Sequence, residues 1–262
     1  MAFSVAGDVY DRYMGRYSRL LAPVLADFAG AQPGMRALDV GCGPGALSQV
    51  LVERLGAESV AAADPSESFI AACRERLPGI DVRQAAAERL PWPDDTFDVG
   101  LAQLVVNFMA DPVAGVAEMN RVVRSGGVVA ACTWDYRDGM TMLRTFFDAA
   151  LALDPDAPDE GQTLGIQAAD DLRQVWSQAG LEHVETGELV VEAEYANFDD
   201  FWQPFTTGTG PAGAYCVSLD TEQQNALREE LRRRLGDPQS PFQLSARAWA
   251  VRGVARPRGA EP

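Results

Sequence analysis

The residues best placed to do chemistry are a run of alternating glycines and the acids that flank it. In "ALDVGCGPGALS", Ala37 to Ser48, glycines fall at Gly41, Gly43 and Gly45, and Asp39 stands two residues ahead of the first. An apolar run leads in and a helical pattern follows, with Leu47, Val50, Leu51 and Leu55 at helical spacing. A loop between a strand and a helix N-terminus presents unpaired N–H groups and positive potential. Glycines let a ligand come close to the backbone. The stretch is therefore a cradle for an anion or a nucleotide.

The flanking acids bear on which nucleotide. Gly41, Gly43 and Ala46 satisfy the dinucleotide pattern G-x-G-x-x-G/A, so a nicotinamide-dependent oxidoreductase is a competing reading. A pyrophosphate would be repelled by Asp39. A ligand carrying an ammonium group and a sulfonium would be favoured by it, and S-adenosylmethionine has both. It also has a carboxylate for the helix N-terminus and a ribose that needs a hydroxyl acceptor. Asp64, nineteen residues past Gly45 and at the end of the next apolar run, is placed for the ribose. Asp39 then serves the cationic tail, directly or through water, and can also bond the loop N–H groups.

The elements that must position these acids follow from the pattern. "MRALDV", "SVAAAD", "IDVRQ", "FDVGLAQ" and "GGVVAACTW" read as strands. Between them lie the helical "GALSQVLVERL", "SESFIAACRERL" with Ser66 as N-cap, and "DPVAGVAEMNRVVR" opened by Asp111 and Pro112. "AADDLRQVWSQAG" is a further helix, "HVETGELVVEAEY" a sixth strand and "SARAWAVRG" the last. Strand–helix alternation predicts a doubly wound, mostly parallel seven-stranded α/β sheet with helices on both faces. Its functional edge is the row of loops at the strands' carboxyl ends. "LDPDAPDEGQ", Leu153 to Gln162, is expected to be a surface loop. "TTGTGPAGA", Thr206 to Ala214, with three glycines and a proline, is expected to form no stable helix.

Composition narrows the function classes. The 262 residues are 47% hydrophobic and 23% charged, which suits a well-filled folded domain. Net charge is −16, and all 22 basic residues are Arg. Such a surface disfavours nucleic acid as a partner. The cluster "LREELRRRL" alternates in sign and reads as a solvated helix face. No signal peptide is evident in the first residues. The longest apolar stretch, Val99 to Ala110, is interrupted by Gln103 and Asn107 and too short to span a bilayer. Cys42, Cys73, Cys132 and Cys216 are scattered, as expected in a reducing cytoplasm. A single histidine, His183, argues against a His-ligated metal, and no metal site is expected.

In sequence order, "LDVGCGPG", the acid in "AADPS", "AERLPWPDDTFDVG" and "EMNRVVRSGGVVAA" resemble the class I S-adenosylmethionine-dependent methyltransferases. The resemblance points to the small-molecule group of ubiquinone/menaquinone type. It is strongest over Ala37 to Asp135, and "YDRYMGRYSRLLAP" resembles that group's helical lid. It implies a lid over residues 1–34 and a methyltransferase domain over 35–262. Within that domain lie a cofactor core at 35–135 and substrate-cap insertions near 136–167 and 197–220. It assigns Gly41, Cys42 and Gly43 to the methionine part of the cofactor, Asp64 to the ribose and Pro65 to the adenine. Gln103 falls beside the methionine moiety, and Tyr13 and Arg16 are candidates to close the lid over the cofactor carboxylate. The family usually has Asp where this chain has Ala86, so Ala87's backbone or Glu88 must meet the adenine edge.

For the substrate, Tyr17, Asn107, Trp134, Asp135, Tyr136, Trp202 and Tyr215 are candidate contacts. The implied reaction is in-line methyl transfer to a small molecule, of natural-product or secondary-metabolic type, giving S-adenosylhomocysteine. A protein that binds the cofactor without transferring methyl is the other alternative. No catalytic base is assigned; Cys42 is expected to be small rather than nucleophilic.

Overall fold

The structure, a computed structural model, describes residues 11–256 in backbone and residues 13–256 in side chains. The first ten residues of the expected lid lie outside the described residues. Seven strands form one sheet: β1 Ala37–Val40, β2 Val60–Asp64, β3 Asp81–Gln84, β4 Phe97–Gln103, β5 Val123–Trp134, β6 Glu182–Tyr195 and β7 Phe242–Val254. Their order is β3-β2-β1-β4-β5-β7-β6. The first five strands are parallel, and β7 runs antiparallel to both neighbours. All four residues of β1 are buried, as befits a central strand covered on both faces.

The helices are α1 Arg16–Phe28, α2 Ala46–Leu55, α3 Glu67–Arg76, α4 Pro112–Val122, α5 Thr141–Leu153, the single turn α6 Glu160–Thr163, α7 Ala169–Gln178, the short α8 Phe198–Trp202, α9 Gly210–Ser218 and α10 Thr221–Arg234. A wide helical turn over Asp11–Gly15 leads into α1. One face of the sheet carries α1, α2, α5 and the cap helices in a core that includes Tyr17, Leu21, Leu25, Phe146, Phe147 and Phe205. The other carries α4 and α7 over Leu38, Val40, Phe97 and Val129. Trp176 of α7 is fully buried there, and its Nε1 donates to the Val129 carbonyl at 2.9 Å. Among the described residues no helix is long and apolar enough to cross a membrane.

Three sequence expectations need correction. Helix α4 ends at Val122, and β5 begins at Val123, so the expected helical "VVR" is largely strand. A register shift between Phe97 and Val99 absorbs the early start. Second, Gly210–Ser218 is a helix despite its glycines. Pro211 sits in the first turn, where its missing N–H costs nothing. Gly213 packs where a Cβ would come within 2.8 Å of the Gly208 backbone. Third, Leu153–Gln162 is not a plain surface loop: Ala157, Glu160 and Gly161 are buried. Ahead of it, Thr141–Leu153 is a 13-residue helix with Leu143, Phe146, Phe147 and Ala150 facing the core.

Candidate functional site

The loop after β1 turns on glycines with positive φ, and Gly41 shows why no other residue suits. Its φ is +71°, and a Cβ there would lie 2.5 Å from the Val105 side chain. The loop is tied across the sheet. Gly41 and Cys42 donate their N–H groups to the Ala63 carbonyl at 2.7 and 3.0 Å. Asp64, at the end of β2, accepts from Gly43 N at 3.0 Å and from Ser66 N at 2.8 Å. Ser66 caps α3 by accepting from Phe69 N.

Asp39 is 1% exposed. Ser48 Oγ donates to its Oδ2 at 2.6 Å, while Oδ1 has no hydrogen-bond partner among the described residues. Burial pushes this carboxyl up to about 7; the charge of Asp64 adds to the rise, and Ser48 opposes it. Burial also raises Asp64 above the ordinary carboxylate range, opposed by its two backbone N–H bonds. The Cys42 thiol is held well above its usual range, first by its hydrogen bond with Cys73 and then by burial, so it stays a thiol.

A cavity of about 760 Å³ opens over these groups. It crosses the carboxyl ends of β2, β1, β4 and β5, four neighbouring strands, hence about 14 Å from first to last at ~4.8 Å per strand. Of the expected cofactor residues, Tyr13, Asp39, Gly41, Cys42, Gly43, Asp64, Pro65, Ala87, Glu88 and Gln103 all line it, as does Ala86. Gln103 donates from Nε2 to the Ser18 carbonyl at 3.0 Å, and its buried Oε1 has no partner among the described residues. Glu88 accepts from Asp111 N at 3.2 Å, which ties the loop after β3 to the start of α4. Of the expected substrate residues, Trp134 and Tyr136 line the cavity.

The remaining expected residues are not in the cavity lining, each for a physical reason. The Arg16 guanidinium forks onto Asp200 at 2.6 and 3.1 Å, donates to the Glu194 carbonyl and stacks over Tyr195, locking α1 to α8. Tyr17 is fully buried, its hydroxyl 3.0 Å from that of Tyr195. The Asn107 amide bonds Thr133 and both backbone groups of Ile166. Asp135, 2% exposed, receives a fork from Arg247 and the N–H groups of Arg137 and Asp138. Trp202 packs on Phe205, and Tyr215 sits edge-on to Phe146 with its hydroxyl 3.5 Å from Asp154.

Among the lining residues that the sequence did not single out, one carries a buried carboxylate. Glu160, on the single turn α6, is 8% exposed and lines the cavity. Burial, then the charge of adjacent Asp159, raises its carboxyl to about 7.

Comparison with known proteins decides what this geometry belongs to. Residues 38–131 match the family model described as "Methyltransferase domain". Over these residues the chain carries a methyltransferase domain. It is 37% identical over 106 residues to the ubiquinone/menaquinone biosynthesis C-methyltransferase of Stenotrophomonas maltophilia, covering 38% of this chain and 42% of that one. It is 39% identical over 124 residues to the ubiquinone biosynthesis O-methyltransferase of Rhizobium etli, covering 46% of each. The chain spans about half or less of the length of the curated relatives it matches. In fold it is similar to the [4+2]-cyclase SpnF, with TM-score 0.55 and 20% identity over 91% of this chain and 82% of that one.

The cofactor of this domain is S-adenosylmethionine, and the residues present fit it. The unpartnered Asp39 Oδ1 suits an ammonium or sulfonium. At Gly43 a Cβ would meet nothing within 4 Å, so the backbone there leaves open space for a ligand. Asp64 keeps lone pairs beyond its two backbone bonds for ribose hydroxyls.

Proposed function

We propose that this protein transfers a methyl group from S-adenosylmethionine to a small-molecule acceptor of natural-product type. The observation that carries the reading is that one cavity reaches from Asp64 and the glycine loop to Trp134 and Tyr136, beyond β4. A cofactor seated over β2 and β1 leaves the β4–β5 side for an acceptor. The bound cofactor supplies an electrophilic methyl group on a sulfonium.

The chain's residues supply binding, alignment and exclusion of water. Asp39 neutralises the cationic tail and Asp64 holds the ribose, while the N–H groups of Gly41, Cys42, Gly43 and Gly45 are already paired within the protein and shape the loop rather than bind the carboxylate. Ala86 offers no acceptor for the adenine amino group, so Ala87's backbone or Glu88 serves it. Tyr13, from the wide turn, and Gly210 and Pro211, from α9, stand in the lining as parts of a cover. Their contact is direct: a Cβ on Gly210 would come within 3.2 Å of the Tyr13 ring. The acidic lining suits neither a phosphate backbone nor an anionic acceptor.

Calorimetry with S-adenosylmethionine, S-adenosylhomocysteine and NAD tests the cofactor. Binding of the first two at micromolar strength, with NAD failing, is the expected result, and the reverse preference overturns the reading. Release of S-adenosylhomocysteine in the presence of an acceptor separates transfer from mere binding. The likeness to a cyclase makes that second measurement necessary, because the fold alone does not choose the reaction.

A further inference from the structure

Glu160 is an acid buried in the wall of the cavity without a partner among the described residues. Its carboxylate makes no hydrogen bond or ion pair with another described residue, although it is 8% exposed. The turn that carries it is held firmly. Asp159 caps the turn by accepting from Gly161 N at 3.0 Å. Arg144 of α5 clamps both Asp159 oxygens at 3.0 and 3.1 Å and pairs with Asp148 at 2.7 Å. Gly161 lies against the chain leaving β5, where a Cβ would be 2.7 Å from the Tyr136 carbonyl. So the turn that carries Glu160 is fixed beside the exit of β5, three strands from Asp64.

The same region is otherwise apolar or aromatic: Trp134, Tyr136, Leu143 and Met14 contribute to the lining. The whole cavity lining, among the described residues, has no Arg, Lys or His, and it has five carboxylates: Asp39, Asp64, Glu67, Glu88 and Glu160. An acceptor that arrived as an anion would find no counter-charge from the protein. An acceptor that arrives protonated must lose its proton inside the site.

Resting on the methyl-transfer reading above, we propose that Glu160 is the general base of this protein, and that the acceptor is an uncharged, apolar compound with an aromatic hydroxyl group. In the step, the acceptor oxygen forms the bond to the methyl carbon and the carbon–sulfur bond breaks with its electron pair going to sulfur. The acceptor's proton passes to a Glu160 oxygen. The products are the methyl ether, the neutral thioether and a protonated Glu160, which returns its proton to water. A base works best when its pKa lies near the working pH, and Glu160 is raised to about 7 by burial and by Asp159. Asp159 is the charge that acts on it; Arg144 and Asp148 lie behind Asp159 and reach Glu160 only through it. An amine acceptor fits less well, because a buried carboxylate would hold it as an ammonium with no lone pair for methyl.

The test uses the full chain with saturating S-adenosylmethionine and a panel of phenols, catechols and naphthols of graded size. Each is matched by an arylamine and an aryl carboxylate, with S-adenosylhomocysteine release read by mass spectrometry. Turnover is expected with hydroxyl compounds and not with the carboxylates. In wild type, kcat should rise tenfold per pH unit below about 7 and level above it. Glu160→Gln should lower kcat about 100-fold or more, flatten that limb, and leave the calorimetric affinity for S-adenosylhomocysteine within twofold. Asp156→Asn, an exposed acid of the same connection, should behave as wild type. Infrared difference spectra of the S-adenosylhomocysteine complex, wild type minus Glu160→Gln, should show one carboxyl titrating near neutrality. If the variant does not fold, Glu160→Ala takes its place in both the kinetic and the infrared comparison. Full activity in Glu160→Gln, weaker cofactor binding in it, an ordinary carboxyl titration, or a panel in which no hydroxyl compound turns over would each overturn the proposal. Failure of wild type to bind S-adenosylhomocysteine would instead overturn the cofactor reading beneath it.

Discussion

Ser48 Oγ donates a 2.6 Å hydrogen bond to one oxygen of the Asp39 carboxylate, and the other oxygen, buried beneath the glycine loop, has no partner among the described residues. The first turn of α2 thus fixes how the acid at the end of β1 faces its ligand. One oxygen serves the fold, and the other is the atom that the proposed reading assigns to a cation.

A pH dependence follows from that arrangement. Burial puts the Asp39 carboxyl at about 7 rather than its ordinary 3.8. Between those values the native state holds a proton that the unfolded chain has released. Stability of the ligand-free protein therefore falls as pH rises through that window, by up to roughly 4 kcal/mol at ~1.4 kcal/mol per unit. Cofactor binding has the opposite trend, since a cation needs the ionised form, and affinity should weaken as pH drops below about 7. Asp39→Asn should melt higher than wild type at pH 8 without ligand, yet bind S-adenosylhomocysteine at least tenfold more weakly. Thermal melts and calorimetry over pH 5.5–8.5 check both signs. A wild-type affinity independent of pH would remove Asp39 from the cationic tail.

Asp64 carries two duties, and its replacement should show both. It satisfies the N–H groups of Gly43 and Ser66, and it lines the cavity where the proposed reading places the ribose. Asp64→Ala should weaken S-adenosylhomocysteine binding by tenfold or more, since hydrogen bonds to a charged acceptor contribute about 1.5–3 kcal/mol each. Loss of the loop tie should also destabilise the ligand-free protein by roughly 2 kcal/mol. Asp64→Asn retains an acceptor oxygen and should recover part of the stability but less of the affinity. Equal affinity in folded Asp64→Ala would reject the ribose assignment.

Arg16 and Asp135 should act on stability alone. Asp135 lies almost wholly buried under the Arg247 fork, while Arg16 binds Asp200 at the surface of the cap. Removing one member of a buried pair strands the other and costs about 3–5 kcal/mol. With Arg247 about one-third exposed, Asp135→Ala should sit at the lower end, near 3 kcal/mol. Arg16→Ala should cost about 1–2 kcal/mol, from a part-buried fork and a ring stack. Neither should shift the S-adenosylhomocysteine dissociation constant by more than twofold. A tenfold shift for either, in a folded variant, would return that residue to the binding site.

These cases show what the sequence could and could not disclose. The glycine loop, Asp39 and Asp64 were legible because strand, loop and helix are consecutive, so local spacing sets their geometry. The sheet was legible for the same reason, as apolar runs alternate with helical periods. Arg16 to Asp200 and Asp135 to Arg247 span 184 and 112 residues, and no local pattern marks such partners. Glu160 was hidden by its setting: "LDPDAPDEGQ" has the composition of a solvated loop. Its burial depends on where α5 and the end of β5 place it. A signal was present in the helical spacing of Leu143, Phe146, Phe147 and Ala150 just before it, which binds the segment to the core.

The cover over the site offers the last prediction. Tyr13 and Gly210 meet in the lining, and Tyr13 also stands edge-on to Phe205 at 5.8 Å. Gly210 has φ +66°, a conformation that costs a side-chain-bearing residue about 1 kcal/mol or more. Added to this, a Cβ there would crowd the Tyr13 ring at 3.2 Å. Gly210→Ala should therefore destabilise by roughly 1–2 kcal/mol and displace the Tyr13 ring in the cavity wall. S-adenosylhomocysteine affinity should fall several-fold although no direct ligand contact is deleted. Amide exchange by mass spectrometry should show the reason. In wild type, cofactor should slow exchange in the wide turn at 11–15 and, more weakly, at 206–214, with full protection of the latter needing an acceptor as well. In Gly210→Ala the coupling between the two segments should be lost. If both are fully protected before any ligand is added, the turn and α9 are fixed structure, and the aromatic residues between them are core rather than cover.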